Sequence, residues 1–117
     1  MSLDAKTNYG QIKISDNAIA ILTGVEVCEC YGVVGVVASK ITDGINDLLK
    51  KENYAKGVKV KTTKDGVEID LYVVLSDNVK ISSVVNEIQK RVKYTLEKNL
   101  DIIIKAVNVH VMGIKVS

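Results

Sequence analysis

The 117-residue chain has no proline, no phenylalanine and no tryptophan, and only one histidine and two cysteines. Each scarcity excludes something. The aromatic set is five scattered tyrosines, Tyr9, Tyr31, Tyr54, Tyr72 and Tyr94, which make no stacking platform for single-stranded nucleic acid. Cys28, Cys30 and His110 together fall short of the four ligands of a closed zinc site. Cys28 and Cys30 are two positions apart on an expected helix, which turns each residue by about 100°, so the two thiols point to nearly opposite sides. No metal and no cofactor is expected. Without a disulfide framework, and with a polar first ten residues that lack the apolar run of a signal peptide, the chain reads as cytoplasmic with reduced thiols. No apolar run approaches the length of a membrane span; the uncharged stretch 33–39 is far too short.

Charge of one sign is also lacking. Sixteen basic and fourteen acidic residues leave a net charge of +2, too little for a long-range field toward nucleic acid or anionic lipid. Lys50, Lys51, Lys56, Lys59, Lys61 and Lys64 cluster in sequence, but acidic residues interleave with them, as on a solvated surface. Catalytic motifs are absent as well: there is no nucleophile elbow and no phosphate-cradling glycine loop. His110 stands on an alternating segment whose neighbours Val109 and Val111 point the other way, and no catalytic motif accompanies it. The chain is expected not to be an enzyme.

What is present is aliphatic and β-branched: 19 valines and 13 isoleucines. Such residues favour a sheet in one layer with helices in the other. Gln11-Ile-Lys-Ile-Ser15 alternates as a strand, and Ser15 with Asp16 forms a helix start. Ala18, Ile19, Ile21, Leu22 and Val25 then recur at helical spacing, with a stop at Gly32. Val36, Val37, Ile41, Ile45, Leu48 and Leu49 predict a second helix, strongest over 42–52. A strict period of two follows over 57–75, broken by Lys64-Asp65-Gly66, the signature of a hairpin turn. Ile81, Val84, Val85, Ile88, Val92 and Leu96 mark the best helix, and alternation returns from Val107 to the last strand.

The predicted order is β-α-α-β-β-α-β. It makes an α+β two-layer sandwich, with a mainly antiparallel sheet and the helices on one face. Residues 1–9 read as a flexible N-terminal extension and 10–117 as one domain. The other sheet face is polar, carrying Lys59, Lys61, Glu68, Asp70, Tyr72, Asn108 and His110. Of these, Glu68, Asp70, Tyr72, Asn108 and His110 are the candidate interaction face, since tyrosine amid mixed polar groups suits a partner surface. Gly32-Val33-Val34-Gly35 has the G-x-x-G form of a KH-domain loop, so a KH-like RNA-binding module is the alternative reading. Against it, both variable positions are valine and no lysine or arginine lies between Lys13 and Lys40. The opposing expectation is a tight helix–helix turn with its valines packed inward.

Taken in order, several pieces resemble the alkaline-shock-protein family of Gram-positive bacteria, also called envelope-stress-response proteins. They are Gly10-x-Ile12-x-Ile14-Ser15, Ala18-Ile19-Ala20, Glu26-Val27, Gly32-Val33-x-Gly35 and Lys56-Gly57-Val58-Lys59-Val60, then Val67-x-Ile69-Asp70-Leu71-Tyr72-Val73 and Val107-Asn108-Val109-His110-Val111-x-Gly113-Ile114. The chain departs from the family at Cys28-Glu29-Cys30-Tyr31, where small residues are usual, and before the last strand, where the family usually carries a glycine near the helix end and this chain has Asn99-Leu-Asp-Ile-Ile-Ile104. The resemblance implies a small, cytoplasmic, non-catalytic protein linked to cell-envelope homeostasis. It implies protein partners, a membrane-anchor protein among them, peripheral placement at the membrane through such a partner, and self-association.

Overall fold

A computed structural model describes residues 2–7, 10–39 and 48–116, and side-chain surroundings from residue 15. In chain order the elements are β1 (Ser2–Thr7), β2 (Gly10–Ser15), α1 (Asp16–Cys28), β3 (Val33–Val36), a 3-10 helix (Lys51–Lys56), β4 (Val58–Thr63), β5 (Gly66–Ser76), α2 (Ile81–Leu100) and β6 (Ile104–Lys115). The α+β class and the mainly antiparallel sheet are as the sequence indicates. β1, within the stretch read as an extension, pairs antiparallel with β2 in a hairpin of its own.

β5 organises the main sheet. Its alternating Val67, Ile69, Leu71, Val73 and Leu75 are all but fully buried. β4 pairs antiparallel with residues 66–71 and β3 antiparallel with residues 73–75. Both lie on one edge of β5: the Tyr72 amide donates to the Gly57 carbonyl, while the Tyr72 carbonyl accepts from Val37, and both groups of a strand residue face the same side. β6 takes the other edge, parallel, along the whole of β5. A parallel pair needs a long crossover, and α2 supplies it.

The helices cover the inner face. Ser15 caps α1, its Oγ accepting from the Ala18 amide at 3.0 Å. Ile19, Ala20 and Val27 of α1 and Val84, Ile88, Val92 and Leu96 of α2 are buried against the strands. Gly24 lets the Tyr54 ring, from the 3-10 helix, lie directly on α1; a Cβ at position 24 would overlap that ring.

Two local expectations change. Gly32-Val33-Val34-Gly35 is not a helix–helix turn. Gly32, at φ 90°, makes the turn, and Val33–Val36 continues as a strand. Four β-branched residues within 33–37 suit an extended chain, and the end of β5 would otherwise leave backbone groups unpaired. Residues 40–47 of the expected second helix lie outside the described residues. Beyond them Leu48 bridges to Val37, and the helical turn at Lys51–Lys56 is 3-10.

Candidate functional site

The outer face of the sheet, away from the helices, assembles all five candidate residues. Glu68, Asp70 and Tyr72 occupy successive outward positions of β5. In the parallel register Asp70 stands beside Asn108 and Tyr72 beside His110. The β4 partners of Asp70 and Glu68 are Lys59 and Lys61, so opposite charges face each other across strands, each pair worth a few tenths of a kcal/mol. Lys105 Nζ approaches Glu68 Oε1 at 3.8 Å.

At the centre, His110 Nε2 lies 3.1 Å from Asp70 Oδ1. The His110 ring stacks on Tyr72 with centroids 4.6 Å apart and planes 10° from parallel. The side chains of His110 and Asp70 keep 43% and 33% of their surface open. The triplet is amphipathic: two stacked flat rings and a carboxylate, with Asn108 beside Asp70 in the register. It can donate and accept hydrogen bonds and offer ring faces to a partner. Cys28 and Cys30 pack with the core instead.

How this face ends was not foreseen from the sequence. Val74, the next outward residue after Tyr72, pairs with Gly113 on one side and Gly35 on the other. Val34, Leu48, Val74, Gly113, Ile114 and Lys115 line an open pocket of about 350 Å³. The face thus runs from charge at Lys61 and Glu68, through the Tyr72–His110 stack, to an apolar hollow. A signal was present in Val73-Val74-Leu75, where alternation gives way to three consecutive apolar residues.

The thiols go to separate surroundings. Cys28 Sγ lies 3.3 Å from Tyr54 Oη. The hydrogen bond to Cys28, then burial, pushes the Tyr54 phenol up to about 12. Cys30 points back to the Glu26 carbonyl at 3.6 Å, and burial raises its thiol. Above them Arg91 joins Glu29 at 3.2 Å and Glu26 at 3.8 Å, and Thr95 Oγ1 donates to Glu26 at 3.1 Å, tying α2 to α1. Among the described residues no group of three or more His, Cys, Asp or Glu is placed to hold a metal ion, and no helix is long and apolar enough to cross a membrane.

Comparison with known proteins covers nearly the whole chain. Residues 4–116 match the alkaline-shock-protein family, described by a cell envelope-related function. The uncharacterized Streptococcus pyogenes protein Spy1614 is 47% identical over 117 residues, covering 99% of this chain and 97% of its own. The uncharacterized Bacillus subtilis protein YloU is 38% identical over 118 residues, covering 100% and 98%. YqhY, another uncharacterized protein of Bacillus subtilis, is 31% identical over 109 residues, covering 93% and 80%. No solved structure matches the chain.

Proposed function

The chain belongs to the alkaline-shock-protein family, whose function is cell envelope-related, and from that premise we propose that it is a non-enzymatic protein-interaction module. It acts by docking protein partners, a membrane-anchor protein among them, on the outer sheet face and by self-association. The observation that carries this reading is the continuity of that face. Glu68, Asp70, Tyr72, Asn108 and His110 lie side by side on β5 and β6, and the pocket at Val74 and Gly113 continues them. Along it a stacked tyrosine and histidine stand between charged groups at one end and a pocket at the other, a mix of aromatic, polar and apolar groups such as recognition patches use. The Asp70–His110 pair is joined to Tyr72 by stacking, an arrangement suited to binding rather than to activating a nucleophile.

The test is affinity capture from a Gram-positive cell extract with the wild-type chain and with the double variant Glu68→Lys, Asp70→Lys. Both side chains are on the surface and partly open, so the fold should persist, as circular dichroism would verify. Envelope-associated proteins recovered by the wild type should be lost from the variant. Equal recovery would overturn the assignment of the surface.

A further inference from the structure

We propose that the outer edge of β6 is a self-association site, where a second copy of this chain adds its own β6 antiparallel and extends the sheet across a two-fold axis. This rests on the reading of the chain as a self-associating module, and it names the surface.

The argument begins with which backbone groups are spent. Tyr72 turns its amide and carbonyl toward β4 and β3. By alternation Leu71 and Val73 turn theirs toward β6, where they engage residues 108 and 110. Val107, Val109 and Val111 therefore point their amides and carbonyls away from β5. One of these groups is taken within the chain: the Val107 carbonyl accepts from Gln89 Nε2 at 2.9 Å. Among the described residues no strand covers this edge.

An open edge is ordinarily guarded by charge, proline, bulges or shortness. β6 is 12 residues long. Its bulges sit near the ends, where Lys105 and Met112 are the extra residues. Between them residues 106–111, Ala-Val-Asn-Val-His-Val, hold no lysine, glutamate, aspartate, glycine or proline. The one titratable member, His110, is already engaged by Asp70.

The same segment is self-complementary. Antiparallel pairing with its own copy keeps inner and outer faces matched when the axis passes at Asn108 or Val109. Both registers set valine against valine on the inner face. On the outer face they oppose Ala106 to His110 with Asn108 to itself, or Asn108 to His110, and neither sets like charges opposite each other. Val109 and Val111, half-buried at the margin of the core, would be covered. The ends agree as well. Ile103, just before β6, is 70% exposed, and either register brings it level with residues 113–115 of the second copy, which line the apolar pocket. Two-fold symmetry makes that match twice. Pairing exchanges the Gln89 bond at Val107 for a backbone amide of the second copy.

The test is sedimentation velocity of the intact chain over a wide concentration range, with Val109→Pro beside it. Proline at 109 removes only an amide that points away from β5, so the edge is blocked while the ladder to β5 stays whole. The wild type should sediment as a dimer, and the variant as a monomer with an unchanged circular dichroism spectrum. In case the variant unfolds, amide exchange on the wild type gives a second reading: the Val109 and Val111 amides should become protected as concentration rises. A wild type that stays monomeric throughout overturns the edge interface, as does concentration-independent exchange at these amides. A dimer that survives in folded Val109→Pro but is lost in Glu68→Lys, Asp70→Lys would also overturn it, by placing self-association on the outer face. Partner capture by the outer face is read separately, so either proposal can fail alone.

Discussion

Asp101 closes α2 in a left-handed conformation, at φ 53°, and is the one non-glycine residue with positive φ among those described. Its amide donates to the Glu97 carbonyl at 3.2 Å, ending the helix so that the chain can turn into β6. A Cβ in this region carries a penalty that glycine escapes, softened for aspartate by its short polar side chain. Asp101→Gly should therefore stabilise the fold by about 0.5–1 kcal/mol, net of the extra freedom glycine gives the unfolded chain. Thermal denaturation should show a rise in Tm of about 3 °C. In sequence the position was legible only as part of the stretch 99–104, a departure from the glycine that the family resemblance leads one to expect near the helix end. Conformation could not be read there, because aspartate adopts either hand and the choice belongs to the helix end. The five outer-face residues were legible for the opposite reason: strict alternation assigns a side to every residue once one side is known to be buried.

At the scale of elements, periodicity decided where it was unambiguous and failed where it was not. α2 has one clean stripe, and β4 and β5 alternate without interruption up to Leu71, so their packing followed from spacing. Residues 33–37 are nearly all valine, and an apolar run carries no period. The partner needed to settle them, the end of β5, lies some forty residues away in sequence. For the same reason the parallel pairing of β5 with β6 and the pocket at their ends were invisible: both depend on register between distant segments. The 3-10 helix is another product of distant contact, held by Tyr54 on Gly24 and by the Tyr54–Cys28 pair. Here a pH dependence follows. The phenol titrates near 10.0 when unfolded and about 12 when folded. A group whose folded value is raised lends stability that is complete below the unfolded value and is lost as pH rises through the folded one. The Tyr54 contribution should be intact at neutral pH and decline between pH 10 and about 12. Urea denaturation of the wild type against Tyr54→Phe should show the stability difference between them changing across that window and constant below it. A difference that is flat through pH 12 would mean that the Cys28 contact does not hold the proton.

For the whole molecule, the outer face and the β6 edge are not independent surfaces. A two-fold axis through paired β6 strands, perpendicular to the sheet, leaves both outer faces pointing the same way and puts the Tyr72–His110 stacks on the two strands nearest the axis. A partner displayed in many copies on a surface, as a membrane-anchored protein is, would then be met by two faces at once. Binding of the second face becomes intramolecular, and overall avidity can exceed the single-face affinity by a factor on the order of 10²–10⁴. The two classes of variant should therefore separate kinetically. On a surface densely coated with a captured partner, Val109→Pro should associate normally but dissociate much faster than the wild type, because each molecule is left with one face. On a sparsely coated surface the two should dissociate alike, since two anchors are seldom within reach. Glu68→Lys, Asp70→Lys should fail to bind at either density. Surface plasmon resonance at two coating densities reads all three expectations. Equal dissociation of wild type and Val109→Pro at high density would show that pairing through β6 does not serve recognition through the face beside it.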